Sequence, residues 1–393
     1  MTMFKQPKPS FGEKGESRVD IPRREFTKLA LAGALGGAGI LGQNRVAEAK
    51  PANLPPGPKI ALQLDCDPFI GEPAQLDEDL QFARQLGVEH ISIWVHASRA
   101  NYEYFTAIRT RIEAAGLKVW NIGNMNTHNM EEVTLNLPGR DRKIEEYKAY
   151  LRNLGRAGIN YSTYSHAGNG IWMTSREPTR GGASARAFDQ SKAYTEGYGW
   201  WDDKIFKGPL THGRVYTEKE IWDNYTYFIK AVVPVAEEAG VRIGIHPDDP
   251  PVPLLGGVPR CIFGNFEGFK RAFEIAQSPN VGMCLCCGTW SEGGKLMGKS
   301  LLETIDYFGK QGKIFKIHFR NVSAPLPHFV ETFVDDGYVD MYTVMRALRR
   351  VNFDGVMIPD HVPYLLGGSR AANACTIAYM KALLKRANEE AGA

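Results

Sequence analysis

The sequence predicts a single closed (β/α)8 barrel over residues 59–393, preceded by a separate leader. Eight short runs rich in apolar and β-branched residues recur along this region, and stretches with the apolar spacing of amphipathic helices separate them. Several of these helices should end in a glycine just before the next strand, at Gly87, Gly116, Gly158 and Gly240. Strands that alternate with helices in this way are typical of a parallel sheet covered by helices.

The eight predicted strands are 59–64, 88–95, 117–122, 159–164, 241–246, 281–286, 314–319 and 355–360. The clearest predicted helices are 76–87, 218–240, 265–277 and 339–351. An open, doubly wound sheet is the alternative arrangement of the same elements. A dinucleotide-binding version of that sheet is disfavoured because no predicted strand is followed by a Gly-x-Gly-x-x-Gly turn.

The first 49 residues have the three-part pattern of a twin-arginine signal peptide. PRREFTK at 22–28 carries the arginine pair, an apolar Gly-rich stretch follows, and AEA at 47–49 offers a small-residue cleavage site. A membrane anchor is the alternative, but the apolar stretch is shorter than the roughly 20 residues that a span needs. We expect cleavage, export to the periplasm or the extracellular space, and no stable membrane span in the mature chain. A Pro-rich linker at 50–58 should lead into the barrel.

The composition is that of a globular protein, with 43% hydrophobic, 11% aromatic and 23% charged residues. The formal net charge is +3, and part of it belongs to the leader. We therefore expect no nucleic-acid partner, because such proteins usually carry a strong basic patch.

The connection after the fourth predicted strand, about residues 165–216, is long and rich in glycine, aromatic and charged residues. Long connections in compact domains are commonly lids or binding segments, so this one is a candidate for shaping a site. A structural excursion without function is the alternative.

Three of the six cysteines, Cys284, Cys286 and Cys287, stand close together in NVGMCLCCGTW at 280–290. An exported protein can form disulfides, but thiols clustered in this way do not link distant loops. On a strand, Cys284 and Cys286 would share the inward face and Cys287 would point toward the helices. We expect Cys286 to be a metal ligand and the other two to pack as small apolar groups.

The last four predicted strands each end in a side chain that can bind a metal ion, namely His246, Cys286, His318 and Asp360. Active sites of such barrels lie at the C-terminal strand ends, and neighbouring strands are about 4.8 Å apart. Four side chains at one level on consecutive strands could therefore reach a single ion. Mixed nitrogen, sulfur and oxygen donors suit Mn, Fe, Co or Zn and do not suit Ca or Mg.

At these residues the chain resembles the mannonate dehydratases, which belong to the xylose isomerase-like TIM barrels. The motifs that carry the resemblance are GIHPDDPPVPLLGGVPR (244–260), KIHFRN (316–321), VDMYTVMRAL (339–348) and IPDH (358–361). Before the fifth strand the resemblance is thin, apart from pieces such as RAFDQ (186–190). The resemblance implies a metal-dependent lyase that converts D-mannonate, or a close relative, to 2-dehydro-3-deoxy-D-gluconate, with Mn as the typical ion. It implies the same four metal ligands, His246, Cys286, His318 and Asp360, and His361 as the catalytic residue.

Two departures from the family pattern leave alternatives to dehydration open. The family continues PDHGH where this chain has PDHVP, and its catalytic tyrosine falls near Ala374. Tyr364 and Tyr379 are candidates to replace it, although Tyr379 also fits a helical core face. A metal-dependent sugar isomerase or epimerase is one alternative, since it reprotonates the same enediolate. An exported, non-catalytic protein that binds sugar acids is the other.

Further polar residues near strand ends are candidates for contacting the expected small-molecule partner, a sugar acid or sugar. They are Asp248 with its neighbour Asp249, Arg260, Arg320, His96 and His166. The aspartates could orient metal ligands or be solvated among prolines, and the arginines could pair with a substrate carboxylate. The two histidines could contact sugar hydroxyls or be rim residues without function. Related barrels often assemble, so a homo-oligomer also stays open.

Overall fold

Eight parallel strands form the barrel wall in the computed structural model, and we number them in chain order. They are β1 (Lys59–Asp65), β2 (His90–Val95), β3 (Lys118–Asn124), β4 (Tyr161–Ser165), β5 (Arg242–His246), β6 (Val281–Cys286), β7 (Ile314–Phe319) and β8 (Val356–Pro359). Hydrogen bonding orders them β3-β2-β1-β8-β7-β6-β5-β4, and β3 and β4 lie side by side. Because the chain order continues around the ring, the predicted barrel is confirmed and the open sheet is excluded.

Longer helices cover the outside of the barrel and alternate with its strands. They are α1 (Pro73–Gln85), α2 (Tyr102–Ala114), α3 (Arg140–Arg156), α4 (Glu218–Glu238), α5 (Phe266–Ala276), α6 (Leu301–Lys310), α7 (Met341–Arg350) and α8 (Gly368–Glu390). Short helices occupy Met125–His128, Glu131–Thr134, Gln190–Ala193 and Cys287–Gly293. The four predicted helices correspond to α1, α4, α5 and α7.

Local sequence signals explain where these helices begin and end. At the start of α4, the Thr217 side chain accepts from the backbone N–H of Glu220, and the Glu220 carboxylate reaches back to Thr217. Such a capping box satisfies backbone N–H groups that a helix start leaves unpaired. Gly87, Gly116, Gly158 and Gly240 have φ of +64°, +79°, +71° and +63°, a region that side chains disfavour. Their predicted role at helix ends is confirmed.

The structure describes residues 57–65, 73–193, 196–199 and 205–392. The predicted signal peptide at 1–49 and most of the linker at 50–58 lie outside these ranges, so cleavage and export stay predictions. Within the described ranges, none of the helices combines the length and the apolar character that crossing a bilayer requires.

Two connections at the C-terminal end of the barrel together build a second, antiparallel sheet, here called the inserted sheet. Its strands, in hydrogen-bonded order, are Asn321–Val322, His328–Thr332, Ser184–Asp189 and Ser175–Pro178. The first two follow β7, and the last two belong to the long connection after β4. A separate apolar cluster that includes Trp172, Phe188 and Phe329 packs there. The long connection is therefore an ordered, packed element in its described part.

The main hydrophobic core lies between the barrel strands and the helices, and Cys287 is part of it, as predicted. The barrel interior is more polar. Cys284 interacts there with His318 and Lys316, and the fully buried Lys316 lies 3.2 Å from the Ser92 hydroxyl. The five cysteines in the described residues are all free thiols.

Candidate metal centre and its surroundings

Three side chains at the C-terminal ends of adjacent barrel strands converge on one point. They are His246 on β5, Cys286 on β6 and His318 on β7. One potential ligand atom from each lies within 4.8 Å of the other two, and all three residues are buried. The structure thus brings together three of the four predicted metal ligands.

The fourth predicted ligand, Asp360, directly follows β8 and borders two of these side chains. The Cys286 thiol donates to Asp360 Oδ2 over 3.7 Å, and His318 Nδ1 lies 3.4 Å from Asp360 Oδ1. The pairing of β7 with β8 ends at Phe319 and Pro359, so Asp360 is the first residue beyond the paired part of β8. We call these four residues the strand-end set.

The donor atoms of the strand-end set fit a transition metal ion. His246 Nδ1 lies 2.7 Å from the Pro247 carbonyl, which can only accept, so Nδ1 carries the hydrogen and Nε2 keeps its lone pair. Neither ring nitrogen of the buried His318 makes a hydrogen bond within the described residues. Buried polar atoms without hydrogen bonds are costly, and a bound ion would satisfy the ring nitrogen that faces it.

Burial and neighbouring charges set the protonation of this site. Burial lowers the pKa of His246 well below its usual range, which keeps the ring neutral and able to donate a lone pair. Burial alone would raise the pKa of Asp360, but His318 and His361 hold it well below the usual range. Burial raises the pKa of the Cys286 thiol, so its deprotonation would depend on a cation beside the sulfur.

The predicted catalytic residue, His361, is adjacent to Asp360 and has an unusual backbone. Its φ of +44° lies in the left-handed region that side chains rarely adopt. Its Nδ1 lies 2.7 Å from Glu331 Oε1 and 2.7 Å from Arg320 Nη1. The imidazole therefore stands between the strand-end set and a group of buried charges.

These charges form a cluster of two arginines and three carboxyl groups, here called the buried ion cluster. Its members are Arg186, Arg320, Asp249, Glu292 and Glu331, all at most 2% exposed. Arg186 contacts Asp249, and its Nη1 lies 3.2 Å from Glu292 and 2.9 Å from Glu331. Arg320 lies 2.7 Å from Asp249, 3.0 Å from Glu292 and 3.1 Å from Glu331. Each arginine thus contacts all three carboxyl groups.

The carboxyl groups of this cluster are not equivalent. Burial would raise the pKa of Asp249, but Arg186 and Arg320 hold it well below the usual range. Burial and the neighbouring Asp249 instead raise the pKa of Glu292 well above its usual range. Proximity to charged neighbours therefore decides which carboxyl group stays ionised.

Arg320 was predicted to pair with a substrate carboxylate, and its contacts argue against this role. Its guanidinium group is occupied by the carboxyl groups of the cluster, and its Nη1 also lies 3.4 Å from Asp360 Oδ2. Arg320 instead connects the buried ion cluster to the strand-end set.

Arg260 was also predicted to bind a substrate carboxylate, but its buried guanidinium group donates to the carbonyl groups of Pro250 and Gly170 and to Asn169 Oδ1. It therefore fixes two loops at the barrel mouth. Asp248 is buried near Arg260 instead of being solvated among prolines, and burial raises its pKa to about 6.

The two histidines predicted to contact sugar hydroxyls lie in different surroundings. His96 is exposed after β2, and its Nδ1 lies 2.8 Å from the Ser98 hydroxyl. His166 is 3% exposed, and its ring packs against Tyr225, Phe228 and Phe263 outside β4. Aromatic rings therefore enclose His166, which argues against its predicted contact with a sugar.

Neither candidate to replace the family tyrosine has a contact that supports the role. Tyr364 is 64% exposed, and its backbone N–H donates to the Ser184 carbonyl. Tyr379 packs against the main hydrophobic core, as its helical spacing indicated. Ala374 lies in α8.

Sequence reasoning missed three members of the buried ion cluster, Arg186, Glu292 and Glu331. Glu292 lies in the short helix after β6, and the other two lie on the inserted sheet. The segment RAFDQ at 186–190 belongs to the family resemblance and was the one signal that could have drawn attention to Arg186.

The comparisons with known proteins agree with this geometry. A family model described as D-mannonate dehydratase (UxuA) matches residues 79–386. Mannonate dehydratase 2 of Halalkalibacterium halodurans is 32% identical over 275 residues, which cover 66% of this chain and 78% of that protein. Mannonate dehydratase of Thermotoga maritima is 31% identical over 284 residues, which cover 66% of this chain and 77% of that protein.

Solved structures lead to the same group. Mannonate dehydratase from Streptococcus suis serotype 2 superposes with a TM-score of 0.73 at 26% identity, covering 86% of this chain and 95% of that one. A xylose isomerase domain protein from Planctomyces limnophilus gives a TM-score of 0.55 at 12% identity, covering 85% and 99%, and this likeness concerns the fold alone. The predicted xylose isomerase-like barrel is confirmed, and the chain belongs to the D-mannonate dehydratase family.

Proposed function

We propose that this member of the D-mannonate dehydratase family dehydrates D-mannonate, or a closely related sugar acid, to a 2-dehydro-3-deoxy acid. The reaction is that of a metal-dependent hydro-lyase. The observation that carries the proposal is the convergence of His246, Cys286 and His318 at adjacent strand ends, with Asp360 and His361 beside them.

A divalent transition metal is the proposed cofactor, with Mn as the first choice and Fe, Co or Zn as alternatives. His246, Cys286, His318 and Asp360 would hold the ion, because their nitrogen, sulfur and oxygen donors match its preferences. When bound, the ion would supply Lewis-acid stabilisation of the charge that develops as the carbon next to the carboxylate loses its proton.

His361 is the proposed base that removes the proton from carbon 2 of the sugar acid. Its neighbour Asp360 belongs to the strand-end set, so the imidazole is anchored next to the point where a substrate carboxylate would be held. A proton transfer of this kind requires the base within hydrogen-bonding reach of the substrate. The leaving 3-hydroxyl also needs a proton, and the family tyrosine that could give it has no counterpart at Ala374.

A cavity beside the strand-end set offers room for the polyhydroxylated part of the substrate. It has a volume of about 340 Å³, and its lining includes Asn126, Asn129, Ser165 and Asn169. Ser165 pairs in register with His246, which places the cavity next to the proposed metal ligands. Amide and hydroxyl groups are suited to sugar hydroxyls because each can donate and accept hydrogen bonds.

A metal-dependent isomerase or epimerase is the second candidate function, and the residue that favours it is Ala374. Without an acid for the leaving hydroxyl, the enediolate formed by His361 would be reprotonated and no water would be lost. An exported, non-catalytic sugar-acid-binding protein is the remaining alternative. Export itself is proposed from the arginine pair in PRREFTK and would place the mature protein in the periplasm or outside the cell.

The test measures product formation by purified protein reconstituted with Mn²⁺ and given D-mannonate. We expect a 2-dehydro-3-deoxy acid to form, and His361→Ala to abolish it while substrate still binds. His328→Ala is the control, because His328 is exposed and pairs with Glu177 on the inserted sheet. Conversion of D-mannonate to an isomer without loss of water would favour the isomerase or epimerase. Binding without any conversion would favour the non-catalytic alternative.

A further inference from the structure

We propose that Glu331 is a positioning residue for His361, a role that rests on the proposed function. Glu331 accepts the hydrogen on Nδ1 of the imidazole and thereby keeps Nε2 as the nitrogen that carries the lone pair. The inserted sheet, on which Glu331 lies, would then fix the tautomer of a base that the barrel supplies.

The contact between the two residues is short and shielded from water. Glu331 Oε1 lies 2.7 Å from His361 Nδ1, and the two side chains are 1% and 8% exposed. Glu331 lies in the strand His328–Thr332, which pairs with both neighbouring strands of the inserted sheet. A carboxylate held by a sheet in this way has little freedom to leave the imidazole.

A second group competes for the same nitrogen, because Arg320 Nη1 also lies 2.7 Å from His361 Nδ1. Only one of the two contacts can be a hydrogen bond, since Nδ1 either donates or accepts. If Arg320 donated to it, Glu331 Oε1 would face the Nδ1 lone pair at 2.7 Å without an intervening hydrogen. The choice between the partners therefore decides which nitrogen is the base.

Counting donors and acceptors favours Glu331. Arg320 Nη1 also lies at ion-pair distance from two carboxylate oxygens, Glu331 Oε1 at 3.1 Å and Asp360 Oδ2 at 3.4 Å. Glu331 contacts the two arginines Arg186 and Arg320, which stay charged, so the group is a carboxylate that can only accept. With the hydrogen on Nδ1, the imidazole and Glu331 are paired as donor and acceptor, and Arg320 keeps its ion pairs with the two carboxylates.

The backbone of His361 gives an independent reason for a positioning partner. Its φ of +44° places it in a sparsely populated region outside the regular strand. Such a conformation persists only where the surrounding structure holds it. The contact with Glu331 supplies such a constraint on the side-chain end of the residue.

The consequence for catalysis follows from charge. Once Nε2 takes the proton from carbon 2, the imidazole becomes a cation, and the carboxylate at Nδ1 stabilises it. The same division of roles between an imidazole and a buried carboxylate operates in serine-protease triads. Loss of the carboxylate should therefore lower kcat, with little effect on substrate affinity or metal binding.

The test compares Glu331→Gln with Asp249→Asn. Both carboxylates are buried and contact Arg186 and Arg320, but the contact with His361 belongs to Glu331. The Tm and metal content of Asp249→Asn measure what the loss of one negative charge costs the cluster. We expect Glu331→Gln to lower kcat by a further 10- to 100-fold, roughly the effect of removing groups that orient metal ligands. Its KM and metal content should stay close to those of the control. Equal losses of kcat in the two variants would overturn the proposal.

A second measurement needs no turnover and therefore separates this proposal from the proposed function. Nitrogen NMR of ¹⁵N-histidine-labelled, Zn²⁺-loaded protein reports which ring nitrogen of His361 carries the hydrogen, with His361→Gln to assign the signals. We expect the hydrogen on Nδ1 in the wild-type protein and a mixture of tautomers in Glu331→Gln. A hydrogen on Nε2 in the wild-type protein would show that Arg320 is the partner and would refute the role of Glu331. A protein inactive on every sugar acid but with Nδ1 protonated would refute the proposed function alone.

Discussion

The strand-end set and the buried ion cluster meet at the mouth of the barrel, and they differ in how fully their polar atoms are paired. In the strand-end set, both ring nitrogens of His318 lack a hydrogen bond within the described residues, and His246 uses Nδ1 for Pro247 and leaves the Nε2 lone pair. In the buried ion cluster, Arg186 and Arg320 each contact three carboxyl groups, and Arg320 Nε and Glu292 Oε2 are the atoms without a hydrogen bond within the described residues. Burial is similar in both groups, so the number of ion pairs is what separates them.

This difference in pairing assigns distinct roles to the strand-end set and the buried ion cluster, although the sequence shows both only as polar residues at or beyond strand ends. Buried ligand atoms of three residues that converge at adjacent strand ends indicate a place for a cation. Buried charges that already satisfy one another indicate support, because breaking such pairs is costly. His361 lies where the two sets touch, through Asp360 on one side and Glu331 on the other.

The largest expected effect is the loss of metal affinity when the thiol of the strand-end set is removed. Cys286→Ala removes one of three converging ligand atoms, so metal affinity should fall by more than about 100-fold, beyond the loss from groups that merely orient ligands. Cys287→Ala is the matched control, because its thiol packs in the main hydrophobic core. Metal analysis of both purified variants checks this. Full metal content in Cys286→Ala would show that the thiol is structural.

The next effect should come from breaking the buried ion cluster. Arg186→Met leaves three buried carboxyl groups facing Arg320 alone, and removing one partner of a buried ion pair costs about 3–5 kcal/mol of unfolding free energy. Arg180→Met removes an exposed pair with Asp335 in the same connection and should cost less than about 1 kcal/mol. Urea unfolding of the two variants measures the contrast. Equal costs would mean that the cluster contributes no more than a surface pair.

The barrel and the strand-end set could be predicted because both follow from local periodicity. Each predicted strand begins and ends within about two residues of the observed one, and parallel strands bring their C-terminal ends to one level. The buried ion cluster has no such rule, since Arg186 and Glu331 are 145 positions apart and meet only through the inserted sheet. The sequence shows that Arg320 is charged, but two of the carboxyl groups that contact it, those of Asp249 and Glu292, come from other connections.

His166 sharpens the comparison, because it is a buried histidine that belongs to neither group. Its Nδ1 lies 2.6 Å from the Tyr164 hydroxyl and its Nε2 has no hydrogen bond within the described residues, yet aromatic rings surround it. His166 Nε2 is a single unpaired nitrogen on which no other donor atoms converge within the described residues. We therefore expect His166→Phe to leave the metal content of the protein unchanged.

The smallest expected effect is on the pH dependence of stability. Burial lowers the pKa of His166 from 6.5 to about 3, so the folded state resists protonation that the unfolded chain accepts. The stability linked to this residue is fully present above pH 6.5 and declines as the pH falls toward 3. Between pH 7.5 and pH 5 the wild-type protein should lose roughly 2 kcal/mol more than His166→Phe. Urea unfolding of both proteins at the two pH values measures this difference. Parallel losses would show that His166 is already accessible to protons in the folded barrel, which would reopen its predicted contact with a sugar.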